Sequence, residues 1–463
     1  MKNTFSRRQF LAAASAVAAA PLIIPRSVLG QDGRPGANDT VKVAIIGLGN
    51  RCISIYGGDI KPAAGLKVVG ICDFWPARLT GFAGYYPEIK PELGYTDFRK
   101  MIETEKPDGV MVETATHQRA WVAAIAMQMG CHAYIEKPMC LTIQEGRYLV
   151  NVARKYKRVT QIGTQQRSLP LCKWACKQVQ DGVLGKVKIV EAPNFVGPNI
   201  WDDPDVHNYP EEMTDEIWNL WTNQAVYRPY NMYIHYHWWK WWDYDAGGNS
   251  FGVSGWGTHS YDQVNMALGM NETGPVEILL EEPCTIQDSG RFTNRKPEDD
   301  ETGAEYYDQA KVEGPRAKMR MWYANGVELR LHLDGDRGPG LGCIITGEKG
   351  KLEINRHKLA SNPKEIVANM PAEFKNPSAA QETLPHVENW INCIKSGSRC
   401  TADIEYGQRS TTLCELVNIV RATAPVGEKI GWDPVKERFT NNDQGNMMLS
   451  RPRRKGYELP DLV

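Results

Sequence analysis

A short apolar stretch, Val41–Ile46, runs into Gly47-Leu48-Gly49-Asn50-Arg51. Two glycines at this spacing let the chain turn tightly and bring backbone N–H groups close to a pyrophosphate. The third glycine of the usual fingerprint is missing, because Cys52 stands in its place. Asp73 closes the next apolar stretch, 26 residues after Gly47, where a carboxylate can accept hydrogen bonds from an adenosine ribose. Gly47, Gly49, Asn50, Arg51 and Asp73 together point to a dinucleotide. Asp73 favours NAD, while nearby Arg78 can meet the 2′-phosphate of NADP, so both cofactors stay open. Thr114-Ala115-Thr116-His117 and Glu136-Lys137-Pro138 follow later apolar stretches. Both stand at carboxyl ends of predicted parallel strands, the edge at which such sheets bind ligands.

The elements that must position these residues alternate. Val41–Ile46, Leu66–Cys72, Gly109–Val112, His132–Ile135 and Val159–Ile162 are short and rich in β-formers, with helical stretches near 76–83, 97–105, 117–129 and 142–156 between them. That rhythm predicts an α/β Rossmann-type dinucleotide-binding domain over 41–165. Beyond it, Lys186–Glu191, Val276–Glu281, Ala317–Tyr323, Val327–Asp334 and Gly342–Gly347 read as strands, several with polar residues at alternate positions. Asn325-Gly326 between two of them signals a hairpin. An α+β domain with a large, mostly antiparallel open-faced sheet is therefore expected over 166–463. Helices near 385–396 and 407–423 can pack back on the first domain, and Ser289–Glu305 reads as a long surface loop.

The first thirty residues read as a leader. Ser6-Arg7-Arg8-Gln9-Phe10-Leu11 precedes an Ala-rich apolar run to Ile24, the pattern of a twin-arginine signal. Cleavage is expected near Gly30, with 31–40 as a linker, export to the periplasm, and the twin-arginine translocase as a partner. Removing residues 1–30 takes away Lys2, Arg7, Arg8 and Arg26 and no acid, so 54 basic against 55 acidic residues becomes 50 against 55. No basic stripe suggests nucleic acid or anionic lipid. No later segment approaches about twenty uninterrupted apolar residues, so no stable membrane anchor is expected. Eleven cysteines are an odd number for a disulfide framework. Cys172 and Cys176 share a helical face, but nothing nearby completes a metal site, and buried thiols are the expectation.

Seven of the fourteen tryptophans lie between Trp218 and Trp256, with Tyr230, Tyr233, Tyr236 and Tyr244 among them. Flat aromatic faces with polar tips suit the C–H faces of sugars; they suit domain packing or an oligomer interface equally. Arg167 and Arg228 can supply hydrogen bonds to hydroxyls or a carboxylate.

The chain resembles the Gfo/Idh/MocA oxidoreductases in an ordered set of motifs: Glu136-Lys137-Pro138, the run from Gln161 to Arg167, Gly257-Thr258-His259-Ser260-Tyr261-Asp262, His386-Val387-Glu388-Asn389-Trp390 and Ala402-Asp403-Ile404-Glu405. The resemblance implies that Lys137 lies beside the nicotinamide and the reacting sugar carbon, with His259 as proton acceptor. It also implies a homodimer or homotetramer, while Thr114, His117, Glu136 and Gln165 near strand ends are expected to line the cofactor site, and Arg167, Arg228, Tyr230, His237, Trp256 and His259 to face the substrate. In this family an acid often stands four residues before the histidine. Here that position is Gly255. Asp262 is expected to orient His259 or its helix, and Tyr261, His237 and Asp243 are candidates to assist.

Export and a dinucleotide must be reconciled, since the periplasm offers no obvious pool of free cofactor. The expectation is a tightly held cofactor, exported with the folded chain and regenerated in a redox-neutral cycle on a sugar or sugar derivative. An NAD-dependent glycoside hydrolase or lyase using transient oxidation is the second reading, and a non-catalytic carbohydrate-binding protein the third.

Overall fold

A computed structural model describes residues 40–201, 213–248, 252–288, 313–333, 340–356, 358–375 and 383–462. The leader, nearly all of the linker and the Ser289–Glu305 stretch lie outside the described residues.

The first domain alternates β1 (Val41–Ile46), α1 (Asn50–Ile55), β2 (Leu66–Cys72), α2 (Pro76–Tyr85), β3 (Gly94–Tyr95), α3 (Phe98–Glu105), β4 (Gly109–Val112), α4 (Thr116–Gln128), β5 (His132–Ile135), α5 (Ile143–Lys155) and β6 (Thr160–Ile162). The six strands are parallel in the order β3-β2-β1-β4-β5-β6, the Rossmann order, with its switch point between β1 and β4. Val43, Ala44 and Ile45 are fully buried on alternate faces, because helices cover both sides of a parallel sheet. The short β3 carries too few residues to show a period.

The second domain begins with α6 (Pro170–Gln180) and β7 (Val187–Pro193), then α7 (Asp215–Thr222), α8 (Met232–His237) and α9 (Thr258–Leu268). Strands β8 (Pro275–Leu280), β9 (Thr285–Asp288), β10 (Glu313–Arg316), β11 (Met319–Tyr323), β12 (Glu328–Leu333), β13 (Cys343–Gly347), β14 (Gly350–Ile354) and β15 (Leu359–Asn362) follow. The chain continues through α10 (Leu384–Ser396), α11 (Ile404–Thr423), β16 (Lys429–Asp433), β17 (Arg438–Phe439) and α12 (Asp443–Met447). Nine strands form one sheet, β15-β14-β13-β7-β12-β11-β8-β16-β17. It is antiparallel except for β7 against β12. Residues alternate between core and outer face along β11. Asn325-Gly326 makes the β11–β12 hairpin: Gly326 has φ +84° and Asn325 Oδ1 accepts from the Val327 N–H at 3.1 Å.

Two helices late in the chain join the domains. Trp390 on α10 packs on Tyr134 of β5, with ring centroids 5.9 Å apart, and closes over Gly109, where a Cβ would stand 2.9 Å from the indole. On α11, Gly407 lets the helix backbone approach Ile162; a Cβ there would stand 2.4 Å from its side chain. Among the described residues no helix is long and apolar enough to cross a membrane.

Candidate active site

At the switch point the first loop turns through Gly47 at φ +94°. A Cβ there would also lie 2.7 Å from the Thr114 nitrogen, whereas at Gly49 it would meet nothing within 4 Å. Gly47 is thus required by backbone geometry and a close approach, and Gly49 presents open backbone. This loop floors a cavity of about 530 Å³ whose walls include Asn50, Arg51, Asp73, Arg78, Thr114, Gln118 and Arg119. The Asp73 carboxylate accepts from the N–H groups of Leu48 and Trp75, each at 3.0 Å. It fixes the glycine loop while both oxygens keep lone pairs for a ribose. The Arg78 guanidinium lies over the Trp75 ring, 5.5 Å from its centroid. A glycine cradle, a strand-end acid and a cavity of this size fit a nicotinamide dinucleotide.

The far wall comes from the second domain. Leu220, Trp221, Asn223, His235, Tyr236, His237, Trp238 and Trp239 line the same cavity, as does Tyr457 from the tail. Trp221 and Trp238 belong to an aromatic cluster in which Trp218 and Trp221 stack at 4.7 Å and Tyr230 packs edge-on to Trp218 at 5.0 Å. The aromatic stretch expected to face a sugar is therefore, in large part, cofactor-cavity wall and packing.

Glu136 organises the chemistry next to this cavity. Its Oε1 accepts from Arg51 Nε at 2.9 Å and from Gln165 Nε2 at 3.2 Å, and its Oε2 accepts from the Lys137 N–H at 2.6 Å. Gly163 makes room for it, since a Cβ would stand 2.9 Å from its carboxyl. The Lys137 Nζ donates to the Gly255 carbonyl at 3.2 Å. Partial burial pulls the ammonium down to about 8, against the opposing pull of Glu136. Burial holds His259 well below its ordinary value, and Arg356, Lys137 and Arg51 push the same way. His259 is therefore a neutral imidazole near pH 7, with a buried Nδ1 that has no hydrogen-bond partner among the described residues.

Several expected residues do other work. His117 does not line the cavity; its Nε2 meets the Trp221 carbonyl at 2.8 Å and its N–H donates to the Tyr244 carbonyl, so it pins the aromatic wall to α4. Tyr230 is fully buried within that wall rather than facing a substrate. Arg167 is buried, with Nε on both Asp262 oxygens at 2.8 Å and Nη1 on Asn271. Asp262 is thereby committed to Arg167 and Ser410, not to His259. Arg228 pairs with Asp243 at 2.7 Å, and His237 stacks on Tyr233. Trp256 packs beside the second-domain core in the turn before α9. Cys172 and Cys176 are buried thiols, and all eleven cysteines are unpaired. Among the described residues no group of His, Cys, Asp and Glu could hold a metal.

The structure adds three residues. Arg119, buried on α4, donates to the carbonyls of Thr114 and Pro138 and to Thr116 Oγ1, tying the two strand-end loops together. Asp245 is fully buried, accepts from Thr116 Oγ1 and Ser254 Oγ, and acts electrostatically on Lys137. Glu113 lines the cavity with a buried carboxyl that has no hydrogen-bond partner among the described residues. Composition gave no signal for Arg119 or Glu113. Asp245 stands two residues beyond Asp243, a weak hint at best.

Two family models match this chain: the oxidoreductase family NAD-binding Rossmann fold over residues 41–164, and the oxidoreductase family C-terminal alpha/beta domain over residues 172–459. The chain belongs to the Gfo/Idh/MocA oxidoreductase family. Within that family it is 30% identical over 126 residues to glycosyl hydrolase family 109 protein 1 of Akkermansia muciniphila, 26% of each chain. It is 26% identical over 152 residues to D-glucoside 3-dehydrogenase of Escherichia coli, 33% of this chain and 42% of that one. The chain thus spans about a quarter to two-fifths of the length of these curated relatives. Among solved structures, the aldose-aldose oxidoreductase of Caulobacter crescentus superposes with a TM-score of 0.53 at 17% identity, over 85% of this chain and 99% of that one. The WlbA dehydrogenase of Bordetella pertussis, in complex with NADH and UDP-GlcNAcA, superposes with a TM-score of 0.54 at 15% identity, over 85% and 98%. These structural likenesses show the fold.

Proposed function

We propose that the mature chain is exported through the twin-arginine pathway and acts in the periplasm as an NAD(P)-dependent oxidoreductase of sugars or sugar derivatives. Its dinucleotide is retained between turnovers. One observation carries the retention: the cavity against the glycine loop is walled by Trp221, His235 and Tyr457, drawn from the second domain and the tail. Gly47, Gly49, Asn50 and Arg51 hold the diphosphate, Asp73 holds the adenosine ribose, and Asp73 inclines the choice to NAD. The bound dinucleotide supplies the hydride acceptor.

The chain's own groups supply the rest. The Lys137 ammonium, positioned by Glu136 and the Gly255 carbonyl, donates to the substrate hydroxyl and stabilises negative charge developing on its oxygen. His259, neutral near pH 7, takes the hydroxyl proton. Arg119 and Glu136 keep the two loops in register. A homo-oligomer formed through the large sheet accompanies this reading.

A retained cofactor must be restored on the protein, which favours a cycle in which one sugar is oxidised and another reduced. The second reading, glycosidic cleavage through transient oxidation, is favoured by Gly255 standing where an acid is expected and by the family 109 relative. Protein purified from a periplasmic extract, with no nucleotide added, tests both. Mass analysis of released nucleotide should find NAD or NADP in stoichiometric amount. NMR of sugar mixtures should show a ketosugar or lactone together with a reduced partner. A released aglycone with no net redox change selects the second reading, and nucleotide-free protein from a dialysed extract sinks the retained-cofactor account.

A further inference from the structure

Arg356, just past β14, is half-buried and shares with Arg451 a buried Nε and Nη2 that meet no acceptor among the described residues, but Arg451 sets its Nη1 on the Trp242 carbonyl. Arg167 has Asp262, Arg421 has Asn194 and Arg453 has Glu145. At Arg356 the Nε and Nη2 atoms are buried, and among the described residues neither has a hydrogen-bond partner. A guanidinium keeps its proton and offers only donors, so these two N–H groups call for an acceptor that the described residues do not supply.

Connectivity brings the chain at Arg356 close to the turn that carries His259. Asn355 closes against Gly342, where a Cβ would stand 2.7 Å from the Asn355 Cα. The Gly342 carbonyl accepts from Ser260 Oγ at 2.7 Å, and Ser260 follows His259. Arg356 is the strongest cationic influence on His259, ahead of Lys137, and it senses Arg51, Glu136 and Asp59 in turn. Like Lys137 and His259, it stands outside the lining of the cavity that the glycine loop floors. The Nδ1 of His259 is a second buried polar atom without a partner among the described residues.

The geometry of the pair of atoms names the acceptor. Nε and Nη2 form the side-on fork of a guanidinium, which matches the two oxygens of a carboxylate. The same two atoms grip Glu437 in Arg147, at 2.9 and 2.8 Å, and Glu328 in Arg330, at 2.9 and 3.1 Å. We propose that the Nε–Nη2 fork of Arg356 receives a carboxylate carried by the substrate, so that this enzyme acts on sugar acids in preference to neutral sugars. The proposal rests on the oxidoreductase reading above and specifies its substrate class. It also links binding to chemistry. A seated carboxylate cancels the cation that most depresses His259, so the imidazole becomes a better proton acceptor when the correct substrate arrives.

The test uses the mature holoprotein, wild type, Arg356→Gln and Arg356→Lys, each shown to retain its dinucleotide. D-glucuronate and D-galacturonate are compared with glucose, galactose and glucose 6-phosphate, by calorimetric binding and by turnover. Wild type should bind and convert the uronates about 100-fold better than the parent sugars. Arg356→Gln should lose that preference mainly through binding, and Arg356→Lys, a charge without the fork, should recover only part of it. Equal handling of uronates and neutral sugars by wild type, an unchanged preference in Arg356→Gln, or a preference for the phosphate overturns the carboxylate subsite. Uronate binding that depends on Arg356, with no turnover of any sugar, supports the subsite and instead counts against the oxidoreductase reading.

Discussion

The Nζ of Lys137 donates to the backbone carbonyl of Gly255, the residue that stands where an acid is expected. A carbonyl holds the ammonium in place without neutralising it, so the charge on Lys137 is set by burial and by Glu136. Lys137 acts here as a charged donor, and its proton is lost as pH rises through about 8. The rate of oxidation should therefore fall on the alkaline side with a midpoint near that value, read from initial rates across pH 6–10. Lys137→Met should lower kcat by about 10²–10⁴-fold at every pH. A rate that instead climbs through the same range makes Lys137 the base.

Asp245 should move that midpoint. Its carboxylate raises the proton affinity of Lys137, so Asp245→Asn should shift the alkaline fall to lower pH and reduce kcat, with little change in KM. An unmoved profile leaves Asp245 as a bond partner for Thr116 and Ser254 only.

Tyr457 tests the cavity wall. It lines the cofactor cavity and packs on Trp121 with ring centroids 5.2 Å apart. Tyr457→Ala opens that side and removes the ring that packs on Trp121 at the edge of the first-domain core. Nucleotide should then dissociate about tenfold faster or more, equivalent to roughly 1.4 kcal/mol. The fraction retained after gel filtration measures it.

Glu113 should show in the pH dependence of stability. Burial and the neighbouring Glu136 push its carboxyl well above the ordinary range, and burial pushes Glu415 up to about 8. Each binds its proton more tightly in the folded chain than in the unfolded one. Stability is therefore lost as pH rises from the ordinary carboxyl range toward the folded values. The thermal midpoint of cofactor-free protein should fall between pH 5 and pH 9, and Glu113→Gln should make that fall shallower.

The Rossmann domain was legible because a covered parallel sheet demands continuous apolar strands, as in Val41–Ile46 and Gly109–Val112, with amphipathic helices between them. The hairpin at Asn325-Gly326 was legible from local turn chemistry. Glu136, Lys137 and His259 stood out by motif. The partners of Arg167 and His117 did not, because residues such as Asp262 and Trp221 meet them only after the chain has folded across long sequence distances. The aromatic stretch misled for a physical reason: indole and phenol rings suit a sugar face and a packed wall equally well, and composition carries no direction. Arg356 was silent because a strand-end arginine looks ordinary until its surroundings are known.

The cavity that begins at Gly47 is completed by Tyr457, and most of the sequence lies between them. No fragment of the first domain, however well folded, possesses the whole enclosure. The whole enclosure therefore requires the docked tail. Arg453 meets Glu145, and the Tyr148 hydroxyl donates to the Pro460 carbonyl. The last-made stretch of the chain thus takes part in holding whatever fills the cavity of the first domain.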